Sequence, residues 1–163
     1  MMIRHFMLPL MTSLCLAACS PSAVTTPSEN SQSAAVTQPV IGYSEAFIME
    51  PIGGRDMTMG GVTVTVEAAD ARLIGASSPE IGTIELHTMA MTDGKMRMRQ
   101  VEGFDIAAGE TLSLKRGSDH FMMFDVSEAV QGGETIDLTL EFETASAETL
   151  TLVVPAEVRT IGD

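Results

Sequence analysis

The sequence predicts an all-β domain, a sandwich or barrel of short strands, held behind an export signal and a flexible tether. Two observations carry this. Apolar and polar residues alternate in short runs at Val62–Val66, Thr83–Leu86, Thr111–Leu114, Thr135–Phe142 and Thr149–Val153, the period of a half-buried strand. Turn-forming residues separate these runs: Gly53-Gly54, Gly60-Gly61, Ser77-Ser78-Pro79, Asp93-Gly94, Ala108-Gly109 and Gly132-Gly133. Strands recurring every ~8–12 residues point to a sandwich or barrel. No stretch of helical periodicity competes with them, and no internal repeat is visible. Tyr43–Met49 adds a first strand.

Ahead of the domain, residues 1–18 read as a signal peptide. A short basic start (Arg4, His5) leads into an apolar run from Phe6 to Leu16. That run is too short to span a bilayer, which takes roughly 20 residues, and small residues follow it, as in an export signal. Leu16-Ala17-Ala18-Cys19 resembles a bacterial lipobox, in which Cys19 becomes the lipidated N-terminus. Residues 19–40 are then the lipidated cysteine and a Ser-, Thr-, Pro-, Ala- and Gln-rich tether with Glu29 as its one charge, a composition that cannot bury a core. The domain occupies 41–163, enough for one core and too little for two.

Composition narrows the function further. The two cysteines are Cys15 and Cys19, so the domain has neither thiol nor disulfide despite an oxidising compartment. Thiol redox chemistry and a blue-copper site, which needs a thiolate, are both excluded. The formal charge is -13. Cleavage removes Arg4 and no acidic residue, leaving -14, a surface that repels nucleic acid and anionic lipid. Lys95, Arg97 and Arg99 are a local exception, read first as a solvated face and secondly as a dock for an acidic acceptor.

The Asp93-Gly94 pair fixes a register. As a tight hairpin turn it sets Thr92 opposite Lys95, Met91 opposite Met96, Met89 opposite Met98 and His87 opposite Gln100. Side chains two apart share a face, so His87, Met89, Met91, Met96 and Met98 stand together. Ile84 and Leu86 look inward, so His87, Met89 and Met91 continue the outward parity of Thr83 and Glu85. His120 and Met122, also two apart, form a second pair. Phe121 and Met123 take the buried face behind them, and Phe124 shares the ligand face as a candidate shield. Met57 and Met59 are expected in core or loop.

Three histidines are present. One, His5, lies in the signal, and the other two fall into the spacing His87-x10-Met98-x21-His120-x-Met122. Two imidazoles and two thioethers form a ligand set for copper(I), a soft ion. Zinc favours thiolate, imidazole and carboxylate. Thioethers have no exchangeable proton, so they ligate where thiols are lost to protonation. They form no disulfides and are weaker copper ligands than thiolates, which suits release. Their liability is sulfoxide formation. Met89, Met91 and Met96 are possible auxiliary ligands.

Residues 73–79 (LIGASSP), 84–87 (IELH), 91–99 (MTDGKMRMR) and 120–122 (HFM) resemble the periplasmic copper A chaperone family, PCu(A)C, and the likeness runs from about Gly42 to Val154. All four positions of the family's metal motif are present. The resemblance implies a cupredoxin-like, Greek-key β-sandwich binding one copper(I) through His87, Met98, His120 and Met122. It implies copper delivery to the copper A subunit of cytochrome c oxidase, with a Sco-type thiol protein as partner or co-worker. Some members add a copper(II) site on a His- and Met-rich C-terminal extension. Residues 153–163 contain neither residue type, so no such site is expected. The expected setting is the periplasmic side of a bacterial membrane, through the lipid anchor. Copper sequestration for tolerance, and a metal-free interaction lipoprotein, are the alternatives. An enzyme is not expected, because the domain has no cysteine nucleophile and no histidine outside the metal set.

Overall fold

Val62, Val64 and Val66 are fully buried and alternate with partly exposed threonines, and this period-two burial organises the whole domain. A computed structural model describes residues 37–162. Its strands are β1 (Val40–Met49), β2 (Met57–Glu67), β3 (Ala71–Ser77), β4 (Ile81–Thr92), β5 (Lys95–Val101), β6 (Phe104–Ile106), β7 (Thr111–Ser113), β8 (His120–Val126), β9 (Thr135–Thr144) and β10 (Thr149–Arg159). The described residues contain no helix, and so none long and apolar enough to cross a membrane. The signal segment, Cys19 and nearly all of the tether lie outside the described residues.

The strands hydrogen-bond in the order β5-β4-β8-β2-β1-β10-β9-β3-β6, with β7 on β2. Pairings are antiparallel except for β1 with β10, where Phe47, Ile48 and Met49 run parallel to Glu157, Val158 and Arg159. That short ladder links a β5-β4-β8-β2-β1 half to a β10-β9-β3-β6 half. Their inward residues make one core: Ile48, Val62, Val64, Phe121 and Met123 from the first half, Leu73, Leu138, Leu140, Phe142, Val154 and Val158 from the second.

Each strand expected from alternation is present. Gly60-Gly61 is the exception among the turn signals. Both glycines lie inside β2, where a β-carbon on Gly61 would collide with the Leu114 carbonyl and one on Gly60 with the Phe47 carbonyl. They are there for close backbone approach, not for a turn. Pro155 lies within β10 and pairs with Asp137 of β9. It falls before β1 joins at Glu157, so its missing N–H costs no rung of the β1 ladder.

Candidate metal centre

The β4–β5 hairpin has the register read from the turn: Thr92 pairs with Lys95, Met91 with Met96, Met89 with Met98 and His87 with Gln100. Asp93 and Gly94 both have positive φ, 52° and 72°, as the tight turn with matching twist requires. On the other edge of β4, His87 pairs directly with His120 of β8, and Glu85 with Met122. The two halves of the spaced motif therefore meet across adjacent strands, and the imidazole centroids are 5.9 Å apart.

Each ring is held by one nitrogen, leaving the other as a donor. His120 Nδ1–H donates to the Ser118 carbonyl at 2.7 Å. A carbonyl can only accept, so in the neutral ring Nε2 carries the lone pair. Nε2 faces Met98 Sδ at 3.1 Å. A lone-pair nitrogen and a thioether sulfur have no proton to share between them, and a soft cation would turn this opposition of two donors into attraction. His87 Nε2–H donates to the Glu85 carboxylate at 2.7 Å, which leaves Nδ1 as its lone-pair atom. That Nδ1 is buried and has no hydrogen-bond partner among the described residues. Buried polar atoms are normally satisfied, so the orphan is evidence for a ligand. Anchoring one ring nitrogen on a carboxylate or carbonyl while the other ligates is the usual support of metal-binding histidine.

Met98, His120 and Met122, but not the buried His87, line an open cavity of about 330 Å3. Its other walls include Met49, Ile52, Arg55, Met57 and Met59. Among the described residues no three His, Cys, Asp or Glu side chains gather as a metal site. The donors that the motif supplies here, imidazole nitrogen and thioether sulfur, suit a soft ion.

Four expectations change. His87 keeps the outward parity but is 9% exposed: the His120 ring and the Glu85 carboxylate stand against it, and Leu86 behind it is buried too. Met89, Met91 and Met96 share its hairpin face, yet none lines the cavity. Met91 and Met96 are 68% and 58% exposed towards the hairpin tip. Phe124 is half-buried beside Met57 and Thr83 and does not line the cavity, so it is no shield there. Met123 is core as expected, but Met57 and Met59 are cavity wall. Their Met-x-Met spacing signalled a shared face; nothing local signalled that β2 would pair with β8. Glu85 was detectable, two residues before His87 on one strand face.

The fold is a β-sandwich of the PCuAC class, and the His87 and His120 rings lie side by side near the base of its β4–β5 hairpin. Residues 30–155 match the family model described as "Putative lipoprotein LpqE-like", and the chain belongs to that family. It is 28% identical over 115 residues to "Putative lipoprotein Lxx21020" of Leifsonia xyli subsp. xyli (strain CTCB07), covering 70% of this chain and 69% of that protein. Among solved structures it is similar to the copper-bound PCuAC domain from PmoF2, with a TM-score of 0.58 at 19% identity over 74% of this chain and 92% of that one. It is also similar to the copper(I) form of DR1885 from Deinococcus radiodurans, with a TM-score of 0.54 at 26% identity over 80% and 85% of the two chains.

Proposed function

We propose that this domain is an extracytoplasmic copper(I) chaperone that holds one ion through His87 Nδ1, His120 Nε2, Met98 Sδ and Met122 Sδ. The observation that carries this reading is the pair of imidazoles whose remaining nitrogens are aimed away from their supports, one orphaned in the interior, the other opposed to a sulfur. The solved PCuAC structures with copper bound support it. The ligands are uncharged and the cavity leaves Met98 and Met122 open to a partner. An acceptor thiolate or imidazole can displace a thioether while the histidines retain the ion. Cys19 would hold the protein at the membrane by lipid, a reading in keeping with the lipoprotein family. The intended acceptor is the copper A subunit of cytochrome c oxidase, directly or through a Sco-type thiol protein.

A copper(I) titration against a competing chelator, with copper-edge X-ray absorption on the product, tests the site. One tightly held equivalent with mixed nitrogen and sulfur ligands is expected. His120→Ala should weaken it about 100-fold, equivalent to about 2.8 kcal/mol, and Met91→Leu on the hairpin tip should leave it nearly unchanged. Equal effects of the two would refute the assignment. Delivery is tested separately, by oxidase activity of a deletion strain grown in low copper. A defect there supports chaperoning, whereas a phenotype confined to excess copper means sequestration.

A further inference from the structure

Five of the domain's methionines line one cavity: Met49, Met57, Met59, Met98 and Met122. The metal motif uses only Met98 and Met122. The other three come from β1 and β2, and strand register explains how they arrive. Met59 pairs with Met122 across the β2–β8 ladder, and directly opposed residues project from the same face with β-carbons ~5 Å apart. In the β1–β2 ladder Phe47 pairs with Gly61 and Ile48 with Gly60. One step further along that register sets Met49 beside Met59. A row of thioethers thus crosses three neighbouring strands, Met49-Met59-Met122, with Met57 two residues along β2 on the Met59 face.

This row is not ordinary core packing. Core methionine in this domain looks like Met123, which is fully buried behind the sheet. Met57 is instead 38% exposed and faces open cavity. Thioethers spaced one strand apart on unbranched, flexible side chains can converge on a single soft ion. The row also begins at Met122, which belongs to the inner centre. The cavity's charged groups are Glu50, Arg55 and Arg116. Two guanidiniums against one carboxylate raise the cost of a bound cation, and no imidazole other than that of His120 lines the cavity. Any ion held there is held more weakly than at the histidines.

From this we infer that Met49, Met57 and Met59 form an outer, weaker soft-ion station that takes a second copper(I) equivalent next to the inner centre and lies on the path by which the ion enters or leaves. The inference rests on the proposed copper(I) function and extends it. No electron or proton moves in the step: one thioether replaces another on the same ion.

Silver(I), a soft monovalent ion that undergoes no redox change here, gives a direct test on the full chain carrying 13C-labelled methionine methyls. The first equivalent should shift the Met98 and Met122 methyls and both histidine rings. The second should shift Met49, Met57 and Met59, at an affinity at least tenfold lower. The combined Met49→Leu, Met57→Leu, Met59→Leu variant conserves volume and should drop the stoichiometry from two to one with the first affinity unchanged. The wild-type methyl shifts decide the matter even if that variant does not fold. A second equivalent that shifts only Met89, Met91 and Met96, or no second equivalent at all, overturns the outer station and leaves the inner centre standing. Shifts at Met49, Met57 and Met59 with silent histidine rings would do the reverse, sustaining the station and removing the proposed chaperone site.

Discussion

Glu85 ligates nothing in the proposed centre, yet it decides which nitrogen His87 presents. Its carboxylate accepts the hydrogen bond of Nε2–H at 2.7 Å and so leaves the lone pair on the buried Nδ1. Outer partners of this kind typically contribute 10–100-fold in metal affinity. Glu85→Ala should therefore weaken copper(I) binding about tenfold, and Glu85→Gln, whose amide oxygen can still accept from Nε2–H, should weaken it less. A chelator-competition titration measures the affinities, and 15N shifts of the His87 ring report the tautomer. An unaltered tautomer in Glu85→Ala would show that packing alone orients the ring. The strand positions of His87, Met98, His120 and Met122 were legible in the sequence because strand parity and turn chemistry act locally. Glu85 obeyed the same parity but read as a solvent-facing charge, because burial of its strand face depends on β8, which is distant in sequence.

The hairpin is the element on which the site depends, and its register was readable residue by residue because a two-residue turn with positive φ at both positions allows little choice. What β1 and β2 contribute was not readable. Met57 and Met59 reach the cavity through a β2–β8 pairing between segments more than sixty residues apart, and nothing in either segment specifies it. Gly60-Gly61 misled for a related reason: a glycine pair signals a turn unless a distant backbone, here that of Leu114, occupies the space a side chain would fill. The hairpin also ends the sheet, with β5 the outermost strand beside β4. It has exposed Met96 and Met98 on one face, and Lys95, Arg97 and Arg99, also exposed, on the other. Charges on an edge strand deter edge-to-edge pairing. Lys95→Thr, Arg97→Thr and Arg99→Thr together should promote concentration-dependent self-association in sedimentation velocity while copper(I) affinity stays unchanged. A monomer that has instead lost transfer to an acidic acceptor would reassign these cations to docking.

At the scale of the whole domain, the all-β class was legible and the closure was not. Alternation placed β9 and the first half of β10, but it could not show that β10 continues through Pro155 to Arg159 and turns its end into a parallel partner for β1. Three residue pairs, Phe47–Glu157, Ile48–Val158 and Met49–Arg159, make that contact. Ile48 and Val158 are almost fully buried within it, and the Arg159 guanidinium lies 5.0 Å from the centre of the Phe47 ring. The same ladder ends at Met49, so the seam joining the two halves also positions one wall of the cavity. Deleting residues 157–163 removes the seam, exposes Ile48 and leaves the β1 edge unpaired. Loss of the Val158 side chain alone removes about 1.5–3 kcal/mol of burial, and the lost ladder bonds add about 1 kcal/mol each. Thermal unfolding should therefore drop by about 10 °C or more. Because the histidine pair rests on β4 and β8, away from the seam, copper(I) affinity should survive in whatever fraction stays folded, while the second silver(I) equivalent is lost because Met49 no longer has Arg159 to hold it in register. Calorimetry and the silver titration on one truncated sample separate the two effects. An unchanged melting temperature would mean that the core contacts between the halves hold them together without the parallel ladder.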